Sequence, residues 1–143
     1  MGKGLRLETE IPSYTDELIA RFDAGYLFIR LRLGASAQSE EAEWAWEKIA
    51  HFIGWEHHTF MALEAALCGD TLVASHAGRD AFNRDSLLSR TGTSFQALLA
   101  EWDEAHAAIT KQLRDGSSGV ATHPEAVGVL LECVAHYREH SSV

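Results

Sequence analysis

The sequence predicts an all-α protein: a four-helix bundle in which a long connection, carrying a short extra helix, joins the second and third helices. Two observations predict it. Apolar residues recur at steps of three and four along four separate stretches, and capping or stop signals of the kind that bound helices flank those stretches.

Ser13 is placed to cap a first helix running from about Tyr14 to about Leu33, with Leu18, Phe22, Tyr26, Ile29 and Leu33 on one face. After Phe28 the run to Leu33 also alternates apolar and basic residues, as a half-buried strand does. The helix is the better reading, because a lone strand has nothing to pair with. The second helix starts near Glu41 and runs to Leu67, with Trp46, Ile49, Ile53, Phe60, Leu63 and Leu67 as its stripe and Gly69-Asp70 as its stop. Thr93, with Gln96 three residues on, opens the third. It carries Phe95, Leu99, Trp102, His106, Ile109 and Leu113 on one side and stops at Gly116. The loop DGSSG follows, and Thr122-His123-Pro124-Glu125 then begins a last helix with Val127, Leu130, Val134 and Tyr137 on one side. The stretch from Gly69 to Gly92 is too long for an ordinary bundle turn. It is expected to hold a short helix over Asp80 to Leu88.

At 143 residues the chain is sized for one domain, taken as 1–143, which can bury about 70% of its unfolded surface. Hydrophobic residues make up 46% and charged residues 23%, values of a globular chain rather than a disordered one. A net charge of −9 works against binding nucleic acid, which requires clustered Lys and Arg. No run approaches the roughly 18 apolar residues of a membrane span, and no apolar signal segment follows Met1 to Arg6. These features point to a cytoplasmic protein. Cys68 and Cys133 both fall in apolar helical patterns, where a thiol behaves as a small hydrophobe rather than half of a disulfide framework.

The histidines carry the chemistry. His136 and His140, in HYREH, lie one helical turn apart on one face. The spacing lets two imidazoles reach one metal ion, and it equally suits a solvated last turn whose charge complements the helix dipole. A catalytic metal site uses about three protein ligands. A third must come from another helix, and His51 is the best placed. It projects opposite the Ile49 to Leu67 stripe, on a second face made of Trp44, Trp55, His58, Ala62 and Ala65. Such a face lines either a site or a homodimer contact.

Cys133 is either a fourth ligand, as thiolate, or a packed thiol. Glu47 and Glu132, one turn before His51 and His136, are either acceptors for an imidazole N–H or plain surface charges. Glu56 falls inside the core stripe, where a carboxylate is expensive unless paired. His58 is a candidate substrate contact and His57 a solvated residue, while His106 reads as a hydrogen-bonded structural histidine. His76 and His123 read as loop and cap residues.

The run WEKIAHFIGWEHH, the segment DAFNRD and the terminal AHYREH, in this order, resemble the DinB/YfiT-like superfamily of bacterial four-helix bundles. The resemblance implies that His51, His136 and His140 bind one divalent metal, zinc or nickel. It further implies a metal-dependent hydrolase or a thiol S-transferase, acting on a small-molecule substrate or with a low-molecular-weight thiol. The alternative is a non-catalytic, metal-containing stress-response or small-molecule-binding protein. No Gly-rich phosphate loop, G-x-S-x-G elbow or H-E-x-x-H motif is present to narrow the substrate.

Overall fold

The computed structural model describes residues 2–68, 78–115 and 124–140. Those residues form five α-helices: α1 (Gly2–Ala35), α2 (Ala42–Leu67), α3 (Gly78–Ser89), α4 (Phe95–Asp115) and α5 (Pro124–Glu139). A 3₁₀ turn, Ser36–Gln38, joins α1 to α2. No strand occurs among the described residues, so the run from Leu27 to Leu33 is helical. No helix among them is long and apolar enough to cross a membrane.

The helix boundaries differ from expectation at two of the expected cap sites. Helix α1 begins at Gly2, so Ser13 lies inside it and not at its start. Pro12 also sits within it and has no N–H to offer the carbonyl of Glu8. Caps contribute only about 1 kcal/mol, too little to dictate where a long helix starts. At α4 the cap is Ser94 rather than Thr93: its Oγ accepts the Ala97 N–H at 3.1 Å. Thr93 instead offers its carbonyl to the Trp46 indole N–H at 2.9 Å, tying the start of α4 to α2. The short helix of the long connection, α3, spans Gly78–Ser89 and so includes the expected Asp80 to Leu88. The expected stops at Gly69-Asp70 and Gly116, the loop after it, and Thr122 lie outside the described residues.

One core joins α1, α2, α4 and α5. Phe22, Ile29 and Leu33 from α1, Ile49, Phe52, Ile53 and Leu63 from α2, Trp102 and Ile109 from α4, and Leu130 from α5 are all essentially fully buried. The Phe52 ring stacks on Trp102 at 5.3 Å and on Tyr137 at 5.1 Å, so three helices meet on one aromatic side chain. Burying a side chain of that size contributes about 1.5–3 kcal/mol. On α5 the buried stripe is Ala126, Leu130, Cys133 and Tyr137, with Val127 and Val134 only partly covered. The helix is therefore turned further toward Cys133 than its bulkiest residues suggest, and this rotation swings His136 and His140 inward.

Two glycines let helices approach closely. A Cβ on Gly25 of α1 would stand 2.9 Å from the Tyr137 Cβ of α5. A Cβ on Gly54 of α2 would collide with the Ser86 hydroxyl of α3 and lie 2.9 Å from its Cβ. At that crossing the Ser86 hydroxyl donates to the backbone carbonyl of Ala50 at 2.7 Å, inside α2. Arg90 closes the far side, bonding the Ser86 carbonyl at 3.0 Å and Glu101 of α4 at 2.9 Å. Helix α3 is thus pinned to α2 at the level of His51.

Gly54→Ala is expected to destabilise the protein by about 1–2 kcal/mol, because overpacking and loss of the Ser86 bond outweigh the roughly 1 kcal/mol gain in helix propensity. Gly128 has no atom within 4 Å of a built Cβ, so Gly128→Ala keeps that gain and stabilises by about 0.5–1 kcal/mol. Urea denaturation of the two variants checks the opposite signs.

Candidate metal centre

Two helices bring the three histidines together. His51 projects from the middle of α2, and His136 and His140 from successive turns at the end of α5. One ligand atom from each lies within 4.8 Å of the other two, and all three residues are half-buried. The ring centroids of His51 stand 5.2 Å from both partners, and those of His136 and His140 are 4.9 Å apart. His140 follows the last residue of α5, and its backbone N–H still donates to the His136 carbonyl at 3.3 Å. The helical ladder therefore reaches as far as the third imidazole.

The protonation pattern of His51 follows from its neighbours. The Trp55 indole N–H, which can only donate, reaches Asn83 Oδ1 at 2.7 Å. That atom must be the amide oxygen. The same oxygen lies 3.1 Å from His51 Nδ1, so Nδ1 carries the proton and Nε2 presents its lone pair toward the cluster. His51 Nε2 is 3.2 Å from His136 Nε2. Two imidazole nitrogens on one tetrahedral ion, at about 2.0–2.1 Å each, lie about 3.3 Å apart. The donor set and this spacing fit a divalent metal held by three neutral imidazoles.

Burial, more than any other factor, pushes His51 down to about 4 from its ordinary 6.5; the charge of His140 and then of Lys48 add to this, against the Asn83 bond. His140 is lowered as well, first by burial and then by Lys48, with Glu139 opposing. Both shifts favour the neutral, ligating form.

The other candidates separate clearly. Cys133 is buried, its Sγ donates to Thr59 Oγ1 at 3.5 Å, and burial pushes its thiol up to about 12. It is a packed, protonated thiol and stands outside the ligand cluster. Glu47 is exposed and does not take the His51 N–H; Asn83 does. Glu132 is exposed and lines the adjoining cavity. His58 also lines it, edge-on to Trp55 at 5.5 Å, while His57 is exposed and 3.8 Å from Glu101. His76 and His123 lie outside the described residues.

His106 has the structural role expected of it. Its Nε2 meets Asp23 at 2.7 Å, and its ring stacks on Tyr26 at 3.7 Å. Tyr26 donates to Asp103, which Arg30 grips at 2.8 and 3.0 Å. Glu56 is paired, accepting from the Tyr137 hydroxyl, which itself accepts from the Trp102 indole at 3.2 Å. Asn83 is the residue that sequence reasoning missed. Its segment was noticed, but nothing in the spacing shows that an amide thirty-two positions away in the chain meets His51.

The cluster opens into a cavity of about 420 Å³ walled by Phe52, Trp55, Ala62 and Val129. No family model, curated protein or solved structure matches the chain.

Two outcomes are expected. The metal-free protein loses stability as pH falls from about 6.5 toward 4: the unfolded chain protonates His51 near its ordinary value, whereas the folded chain resists until about 4. Chemical denaturation across that window should show a flatter pH slope for His51→Gln than for the wild type. His106→Ala strips a buried partner from Asp23 and costs about 1–3 kcal/mol, read by urea denaturation.

Proposed function

We propose that the chain is a DinB/YfiT-like four-helix bundle, formed by α1, α2, α4 and α5, that holds one zinc or nickel ion with His51, His136 and His140. The observation that carries this reading is the convergence of three imidazole nitrogens within 4.8 Å at the edge of a cavity. Its activity is that of a metal-dependent hydrolase or a thiol S-transferase on a small molecule.

Bound there, a divalent ion supplies the Lewis acidity that makes water or a small thiol nucleophilic near neutral pH. The remaining work falls to the chain. Asn83 keeps the His51 lone pair directed at the cluster. Phe52 and Trp55 exclude water from one side of the cavity. Cys133 stays protonated, so a thiol that reacts in this site comes from a ligand and not from the protein.

A homodimer is part of the same proposal. Trp55, expected on its interface, instead packs against Phe82 of α3 at 4.6 Å. Among the described side chains of α1, Leu27, Phe28 and Leu31 are large apolar residues left exposed. Sedimentation at micromolar concentration tests the dimer, and a monomer removes it.

The metal reading is tested on protein purified without a histidine tag. Close to one equivalent of zinc or nickel is expected, and His51→Ala, His136→Ala and His140→Ala should each abolish stoichiometric uptake. Less than half an equivalent after reconstitution would overturn the site. Thiol-transfer assays with glutathione, bacillithiol and mycothiol, run beside generic esterase and amidase substrates, test for turnover. Silence across that panel favours a binding protein over an enzyme.

A further inference from the structure

Helix α1 carries two apolar faces. Leu18, Phe22, Ile29 and Leu33 point one way and are buried in the core. Ala20, Ala24, Leu27 and Leu31 lie on the opposite side, at about 100° per residue, and all four are exposed, Leu27 at 57% and Leu31 at 75%. Phe28, half exposed, flanks this second stripe. A run of large apolar side chains left in water marks a surface made for contact.

The stripe is spaced as a helix-to-helix seam, with steps of four, three and four. Its natural partner is therefore another helix, and its own sequence says which. The two N-terminal members are alanines and the two C-terminal ones leucines. Set against a second α1 in parallel, alanine faces alanine and leaves a void while leucine crowds leucine. Turned antiparallel, Leu31 of each copy faces Ala20 of the other, and Leu27 faces Ala24, so every level of the seam holds one large and one small side chain. A two-fold interface requires this self-complementarity.

Charge points the same way. Glu17 and Arg32 are exposed on the Phe28 flank of the stripe, at its two ends. Glu17 holds Arg21 at 2.7 Å, and the Arg32 guanidinium lies 5.8 Å from the centre of the Phe28 ring. In the antiparallel register Glu17 of one copy comes within about 3 Å, along the helix axis, of the level of Arg32 in the other. Arg21 comes as near to the level of the other copy's Phe28, where a cation meets an aromatic face. In a parallel pair Glu17 and Arg32 stand a seam's length apart. We propose that the chain dimerises through α1, packed antiparallel on α1 of a second copy, with Leu31 over Ala20, Leu27 over Ala24 and Glu17 beside Arg32. This deepens the homodimer already proposed and rests on it, but not on the metal site.

Sedimentation equilibrium and disulfide trapping test it, in a Cys68→Ser background that removes the exposed native thiol. This parent should be a dimer at micromolar concentration. Leu27→Glu and Leu31→Glu, both at exposed positions, should each weaken the dimer about a hundredfold or more while keeping the parent's helical circular dichroism and metal content. Under mild oxidant the double variant Ala20→Cys/Leu31→Cys should form a covalent dimer, and neither single variant should. The trapping alone decides the matter should a glutamate variant fail to fold. A monomeric parent overturns the homodimer and this inference together. A parent dimer that Leu27→Glu and Leu31→Glu leave intact overturns this inference alone, since the contact then lies on another face. Self-crosslinking of either single variant, as a parallel pair requires, or no crosslinking of the double variant in a dimer, would overturn the antiparallel register.

Discussion

The fold depends on one helix, α2, that packs against all four others and keeps one stripe, Glu43, Glu47, His57, Met61 and Glu64, for solvent. Helix α2 contributes Ile49, Ile53 and Leu63 to the core, receives α3 at Gly54, accepts the Gln112 amide of α4 on the Phe60 carbonyl at 3.1 Å, and sends Phe52 and Glu56 to meet Tyr137 of α5. A helix so enclosed cannot rotate without breaking contacts on several faces at once, since close-packed interiors yield little. Each side chain it presents is therefore fixed in direction. His51 inherits that rigidity from its own backbone and not from the loop-borne flexibility common in binding sites.

The polar groups of the interior divide into two assemblies with different work. One joins Arg30, Asp103, Tyr26, His106 and Asp23 between α1 and α4. It is satisfied almost throughout: Arg30 holds Asp103 below its ordinary carboxylate range, and burial raises Tyr26 well above the usual phenol value. Such a network specifies how two helices meet. The other runs from Asn83 through His51 to His136 and His140, with the Nε2 atoms of His51 and His136 3.2 Å apart and one ligand atom of each histidine within 4.8 Å of the other two. The first cluster pairs its imidazole with a carboxylate; this one gathers three imidazoles around a shared centre. That contrast separates His106 from the other three histidines better than burial does.

Periodicity made the helices legible because burial on a single face imprints a repeat on the sequence, and that imprint survives in α2 and α4; the short α3 is legible instead from the length of the connection that holds it. It locates a face without identifying what covers it. Thus Trp55 was correctly seen on a second face of α2, but its cover, Phe82 and Asn83 of α3, was not. The spacing of His136 and His140 and the opposing face of His51 were likewise readable, because the helical repeat fixes direction along one element. The start of α1 was not, since a cap preference is weak beside the tendency of a helix to propagate. Nor were the partners of Glu56: its tyrosine and histidine come from α5 and α4, and only tertiary packing brings three helices to one carboxylate.

The amide oxygen of Asn83 serves two donors, and the second is an indole. Trp55 and His51 are therefore coupled through a shared atom as well as through the edge-on contact of their rings, 6.4 Å between centroids. Any event that turns the His51 ring reaches the indole through two hydrogen bonds to one oxygen. The Trp55 indole, one of four in the chain, thus shares its hydrogen-bond acceptor with the histidine cluster, and its orientation is tied to that of His51.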